Sequence, residues 1–120
     1  MTESDILQQV RLKASQLGAI VWRNNQGAYK DPKGYYIKYG VCNPGGSDLI
    51  GYMPLIITEE MIGVKMAIFT ALEIKSISGR ATQEQINFID NVNKNGGISA
   101  IIRSVDDLDR VIENALRKKL

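Results

Sequence analysis

Histidine is missing from this chain of 120 residues, and Cys42 is its only cysteine. A Ser/His/Asp or Cys/His relay needs histidine, and ordinary zinc sites draw on histidine and cysteine ligands. A single cysteine permits no internal disulfide, and without a histidine to activate it we expect the thiol to be a bystander. Carboxylates, lysines and a hard cation therefore remain as the means of catalysis.

Long apolar runs are missing as well. The strongest run, from Ala67 to Leu72, is closed by Glu73 and Lys75 and is too short to span a membrane. The N-terminus lacks the basic-then-apolar pattern of a secretory signal, so we expect an intracellular protein with no membrane partner. The length and ordinary composition predict a single domain over residues 1–120, too short to include a second domain for an organic cofactor.

The formal net charge of +2 is small, but the charge is unevenly distributed. The segment from Trp22 to Tyr39 contains one acid, Asp31, and four cations: Arg23, Lys30, Lys33 and Lys38. Five of the eight aromatic residues are in the same segment: Trp22, Tyr29, Tyr35, Tyr36 and Tyr39. Such a surface suits DNA, with cations on phosphates and rings on sugars or bases. Taken alone, the segment is better explained as an ordinary tyrosine-rich hairpin with a solvated basic face.

Helical periodicity predicts a first helix over about residues 3–17, opened by a capping box of Thr2 and Asp5 and ended at Gly18. Strands are expected at 19–22 and 35–41, paired as a hairpin, and from 48 to about 58, where Pro54 implies an edge or a bulge. The apolar stretch 64–75, with the run 66–69, is expected to be a central strand covered on both faces.

The second half of the chain has equally clear boundaries. A capping box over 82–85 opens a second helix that ends at Asn95-Gly96-Gly97, and a buried strand is expected over 98–103. Ser104 with Asp107 caps a last helix. The order α-β-β-β-α-β-α predicts an α/β fold with a central mixed β-sheet flanked by helices.

Glu73 and Lys75 project from the same side of their predicted strand, because successive side chains alternate faces. A simple ion pair explains these two residues. It does not explain Asp48, which begins the neighbouring strand after a Gly-Gly turn and can face the same side. Asp48 and Glu73 together would bind one hard cation such as Mg²⁺, with Lys75 orienting the attacking water or offsetting charge on the phosphorane.

Three further side chains have both a structural and a functional interpretation. Glu3 lies in the first turn of the first helix, where a carboxylate is favoured, but also on the apolar stripe of that helix. Gln85 completes a capping box and also has the spacing of the buried face. Arg80 is placed to meet a phosphate, although a solvated loop arginine is the default interpretation.

Taken in order, these residues resemble the PD-(D/E)xK nuclease superfamily and, more closely, its VRR-Nuc family. The likeness covers about residues 3–112 and depends on an ordered set of motifs: Glu3, Val21-Trp22-Arg23-Asn24, the glycine-rich segment 45–51 with Asp48, Glu73-Ile74-Lys75-Ser76, Gly79-Arg80, Thr82-Gln83-Glu84-Gln85, Gly96-Gly97 and Ile102-Arg103-Ser104.

The resemblance implies a restriction-endonuclease-like fold. It also implies a cytoplasmic protein, encoded by a bacterium or a phage, that forms a homodimer and cuts branched DNA, particularly four-way junctions. It implies dependence on Mg²⁺ or Mn²⁺, held by Asp48, Glu73 and the backbone carbonyl of Ile74. Glu3 and Gln85 would complete the catalytic set with Asp48, Glu73 and Lys75.

Two departures from the family pattern leave other interpretations open. The first acidic motif reads Ser47-Asp48 where the superfamily has Pro-Asp, and the strand that names the family reads Ile101-Ile102-Arg103, with one basic residue. A rival hypothesis is a non-catalytic DNA-binding subunit of a repair, replication or restriction complex. A third is a small α/β scaffold in which Glu73 and Lys75 merely pair.

Overall fold

The structure is a computed structural model that describes residues 2–118. It is a mixed α/β chain with two compact units, Met1–Met53 and Pro54–Leu120. In the part of the chain that is described, the strands pair as three two-stranded sheets. No helix among these residues has both the length and the apolar character needed to cross a membrane.

The first unit contains one helix and four short strands. The capping box predicted at Thr2 and Asp5 is present: the Thr2 hydroxyl accepts from the Asp5 N–H, and the Asp5 carboxylate accepts from the Thr2 N–H. Hydrogen bonds to the Asp5 carboxylate, first from the Thr2 backbone N–H and then from the Thr2 side chain, lower the pKa of the Asp5 carboxyl. The elements are α1 (Glu3–Gln16), β1 (Ile20–Arg23), β2 (Gly27–Lys30), β3 (Tyr36–Tyr39) and β4 (Leu49–Tyr52).

Strand pairing in this unit differs from the prediction. The partner of β1 is β4, in antiparallel register, whereas β3 pairs with β2. The β2–β3 hairpin closes a turn of residues 31–35 only, which costs less chain entropy than joining β1 to β3 across residues 24–35. The strand expected to continue to about residue 58 ends at Tyr52, because Pro54 has no N–H to donate to a neighbouring strand.

The second unit is built on a parallel strand pair. Here β5 (Thr70–Ile74) pairs with β6 (Ile98–Ile102), and α2 (Gln83–Lys94) connects the two strands. A short 3₁₀ turn at Glu59–Met61 precedes β5, and α3 (Val105–Lys118) follows β6. Both α2 and α3 pack against β6.

The prediction of a long central strand over 64–75 is wrong in its first half. Residues 64–69 are outside any strand, and Met66 and Ile68 are 39% and 40% exposed. The length of the partner strand explains the difference. Strand β6 has only five residues, because the Gly96-Gly97 turn precedes it and the Ser104 cap follows it. Strand β5 pairs with those five residues and therefore begins at Thr70. The predicted single central sheet is likewise absent from residues 2–118, and the restriction-endonuclease-like arrangement is not confirmed.

The core of the second unit is small and lies where α2 meets β6. Val92 of α2 is 1% exposed, and Ile98 and Ile102 at the two ends of β6 are also buried. Gly97 lets the chain pass from α2 into β6 at close range: a Cβ atom there would lie 2.6 Å from Val92 Cγ1 and 2.9 Å from the Phe69 carbonyl oxygen.

We therefore expect Gly97→Ala to destabilise the chain by about 1–3 kcal/mol, because the added methyl overpacks this junction. Exposed Ser78→Ala is the control and should change the free energy of unfolding by less than about 0.5 kcal/mol. Urea denaturation of the two variants measures the difference. Equal stability of both variants would show that the junction can accommodate a methyl group at residue 97.

Candidate functional site

Three polar side chains of the second unit meet at the end of β5. Glu73 Oε1 accepts a hydrogen bond from Gln85 Nε2 at 2.8 Å, and Lys75 Nζ lies 3.4 Å from the same oxygen. The Glu73 and Lys75 side chains are one-third and one-fifth exposed. Strand alternation predicted that Glu73 and Lys75 share a side, and the observed ion pair agrees with it.

Gln85 uses both ends of its amide. Its Oε1 accepts from the Thr82 N–H at 2.9 Å, and its own N–H donates to the Thr82 hydroxyl, which completes the predicted capping box of α2. Its Nε2 donates to Glu73. A single side chain thus joins the helix cap to the Glu73 carboxylate. Gln85 both caps α2 and contacts Glu73, so each of the two interpretations of this residue corresponds to a contact.

A cavity of about 240 Å³ borders this cluster. Glu73, Glu84 and Gln85 supply polar groups to its wall, and the remaining lining is largely apolar, with Leu72 and Phe88 as its largest side chains. An apolar wall strengthens the electrostatic interactions of the charges beside it, since it excludes water from one side.

The loop that leaves Lys75 is held by Arg103, whose role the sequence did not reveal. Arg103 Nη1 donates to the backbone carbonyl oxygens of Ser76, Ile77 and Gly79. Its backbone N–H donates to Asp107 Oδ2, and this bond, with a smaller contribution from Arg110, lowers the pKa of the Asp107 carboxyl. The sequence feature that could have indicated this role is the position of a cation directly after a buried strand.

Ile74 and Arg80 flank this arrangement. Ile74 is the last residue of β5, between Glu73 and Lys75, so its carbonyl belongs to the same strand end. Arg80 is exposed in the loop between β5 and α2, two residues before the Thr82 cap.

Asp48 and Glu3 belong to the first unit. Asp48 is exposed and directly precedes β4, as predicted, and its carbonyl accepts from the Asn24 N–H at 2.8 Å. Glu3 is exposed in the first turn of α1. Among residues 2–118, no group of three or more acidic, cysteine or histidine side chains is arranged so that it could hold a metal ion.

The loop before Asp48 is organised by Asn24, a buried residue that the sequence indicated only as the last member of the motif Val21-Trp22-Arg23-Asn24. Asn24 is 6% exposed. Its Nδ2 donates to the carbonyl oxygens of Val41 and Ser47, and its Oδ1 accepts from the Val41 N–H. Gln26 Nε2 adds a bond to the Gly46 carbonyl at 2.7 Å. Exposed Cys42 lies within this loop.

The predicted DNA-binding cations of the first unit are all exposed. Arg23 ends β1, Lys30 ends β2, Lys38 lies in β3, and Lys33 is in the turn between β2 and β3. The β2–β3 hairpin therefore groups three of the four cations.

Comparisons of this chain with family models, with curated proteins and with solved structures found no match.

We expect Asn24→Asp to destabilise the chain by about 2 kcal/mol or more, because a carboxylate oxygen would face two carbonyl oxygens that now accept hydrogen bonds. The loss should shrink as the pH is lowered towards about 4, because burial against carbonyl oxygens raises the pKa of the new carboxyl in the folded state and the protonated group can donate one bond again. Guanidinium denaturation at two pH values measures both effects. Asn25→Asp makes the same chemical change at the exposed neighbouring position and should be close to neutral; similar losses in the two variants would contradict the role of Asn24.

Proposed function

We propose that this chain is a DNA endonuclease that depends on Mg²⁺ or Mn²⁺. The observation that carries the proposal is the convergence of Lys75 and Gln85 on one carboxylate oxygen of Glu73. The acid, the lysine and the glutamine are the residues of the Glu-x-Lys strand and the following helix on which the resemblance to PD-(D/E)xK nucleases depends.

The donor atoms at the strand end suit a hard cation. The contacts from Lys75 and Gln85 both meet Oε1 of Glu73, and a carboxylate has a second oxygen that can bind an ion. Mg²⁺ is commonly held by one or two carboxylates together with water and substrate phosphate, so a cluster of three acids is not required. In this proposal Glu73 and the carbonyl of Ile74 would hold the ion at the strand end. The metal-binding role of Asp48, which belongs to the first unit, stays a prediction from the sequence. When bound, the ion polarises a phosphoryl oxygen and lowers the pKa of the attacking water.

The protein's own groups then have separate tasks. An ammonium group has three donors, so Lys75 can pair with Glu73 and still donate to the attacking water or to a phosphoryl oxygen. Gln85 keeps the Glu73 carboxylate in one orientation, because its amide is fixed by the helix cap. Glu3 is proposed to complete the acidic set.

The loop between β5 and α2 supplies a site for the substrate phosphate. Arg103 ties three carbonyl oxygens of this loop together, which limits the positions open to the Arg80 guanidinium that follows. Arg80 would then meet a backbone phosphate near the scissile bond, as arginines do at many protein–DNA contacts.

We further propose that two copies act together on branched DNA. One site cuts one strand, so symmetric cutting of a four-way junction needs two sites related by a twofold axis.

The test is cleavage of end-labelled four-way junction, forked, nicked and plain duplex DNA in Mg²⁺, Mn²⁺ or EDTA. Glu73→Gln and Lys75→Ala should each reduce metal-dependent cleavage by at least about 100-fold, because each removes a charge at the reacting phosphate. DNA binding in EDTA should be retained.

Matched controls are Glu59→Gln and Lys65→Ala, which make the same changes at exposed positions of the second unit and should leave cleavage unaltered. Salt-sensitive DNA binding with no cleavage by the unmodified chain would favour the non-catalytic DNA-binding subunit instead. Absence of both DNA binding and cleavage would favour the third hypothesis, a small α/β scaffold in which Glu73 and Lys75 merely pair.

A further inference from the structure

The β2–β3 hairpin sorts its side chains onto two different faces. Residues directly opposite each other in an antiparallel pair point to the same side. Lys30 is opposite Tyr36 and Ala28 is opposite Lys38, which defines a basic face of Lys30, Tyr36 and Lys38. Gly27 is opposite Tyr39 and Tyr29 is opposite Ile37, which defines a tyrosine face of Tyr29, Ile37 and Tyr39.

The basic face carries charge that the hairpin does not cancel. The hairpin has three lysines and one acid, and the Asp31 carboxylate accepts from the backbone N–H groups of Lys33 and Tyr35 at its tip. Lys30 Nζ lies 5.8 Å from the ring centroid of Tyr36, a side chain that is 74% exposed. A surface of this kind fits an anionic partner.

The tyrosine face presents aromatic rings to solvent. The rings of Tyr29 and Tyr39 are 6.5 Å apart at their centroids, and the two residues are 54% and 47% exposed. The Tyr39 ring lies over Gly27, where a Cβ atom would come within 2.3 Å of the Tyr39 hydroxyl oxygen. A glycine opposite thus makes room for one ring, and Tyr29 is left accessible beside it.

The base of the hairpin is held in place by a side chain from the following loop. Asn43 Nδ2 donates to the carbonyl oxygens of Gly27 and Tyr39, each at 2.8 Å. One amide thus bridges the two residues paired at the base of the hairpin, so the two faces keep a defined orientation relative to the loop that precedes Asp48.

We propose that this hairpin binds DNA at a boundary between duplex and single strand, with the basic face on backbone phosphates and the tyrosine face stacked on unpaired bases. The inference deepens the proposed nuclease function and rests on it for the identity of DNA as ligand. Lysines on phosphates bind any sequence, whereas an exposed ring stacks at least cost on a base that has already left the double helix. The tyrosine face therefore makes the chain select branched over plain duplex DNA.

The test measures binding of the full chain to fluorescent forked and plain duplex DNA in EDTA, so that cleavage plays no part. Tyr29→Ala should weaken binding to the fork by about 10-fold or more and change binding to the duplex by less than about twofold. Tyr29→Phe, which keeps the ring, should restore the preference. Lys38→Gln should weaken binding to both DNAs equally and reduce the salt dependence of the binding constant by about one charge.

Tyr35→Ala is the matched control, because it removes the same side chain from the turn of the same hairpin, outside both faces. It should leave the ratio of fork to duplex affinity unchanged. A second measurement needs no variant: a fluorescent adenine analogue in the unpaired arm should be quenched when the unmodified chain binds.

The outcomes separate this inference from the nuclease proposal. Metal-dependent cleavage together with an unchanged fork preference in Tyr29→Ala, or with no quenching of the analogue, would overturn the role of the hairpin and leave the enzyme intact. Fork-selective binding that depends on Tyr29, with no cleavage in any metal, would support the hairpin and overturn the nuclease. Binding of anionic lipid vesicles in place of DNA would overturn the inference.

Discussion

The side chain of Gln85 connects the beginning of a helix to the end of a strand, and the arrangement of the candidate site depends on that connection. Its oxygen is engaged by the Thr82 N–H and its nitrogen by the Glu73 carboxylate. An amide turned the other way would place its oxygen against a carboxylate and its N–H₂ against an N–H, so one orientation is strongly favoured. The Glu73 carboxylate is therefore positioned relative to α2, and Lys75, the residue directly after β5, pairs with it.

A second amide has the corresponding role in the first unit. Asn24 spans 17 residues to Val41 and 23 residues to Ser47, and it satisfies the backbone groups of a loop that has no regular structure of its own. Buried backbone groups need such partners wherever helix and sheet hydrogen bonds end. Amides do not titrate, so neither connection depends on a protonation change of the amide itself.

The separation along the chain between two interacting residues explains which features the sequence could predict. Helix boundaries were predictable because capping boxes such as Thr82 with Gln85 involve residues three apart. The shared side of Glu73 and Lys75 followed from strand alternation in the same way. Strand partners were not predictable, since the β1–β4 pairing and the Asn24 contacts join residues far apart in the chain. The apolar run 66–69 was misassigned because apolarity alone does not show where a partner strand begins and ends.

Under the proposed function, the charges of each unit assign DNA binding and chemistry to different side chains. Glu73 and Lys75 neutralise each other, so this pair alone offers a DNA phosphate no net attraction. Phosphate contacts supply most of the non-specific affinity of proteins for DNA, and that affinity must then come from cations elsewhere. The hairpin lysines supply such cations, and Arg80 adds one beside the site. In the proposed nuclease these cations attract the DNA, and the Glu73 carboxylate at the strand end remains available for the metal ion.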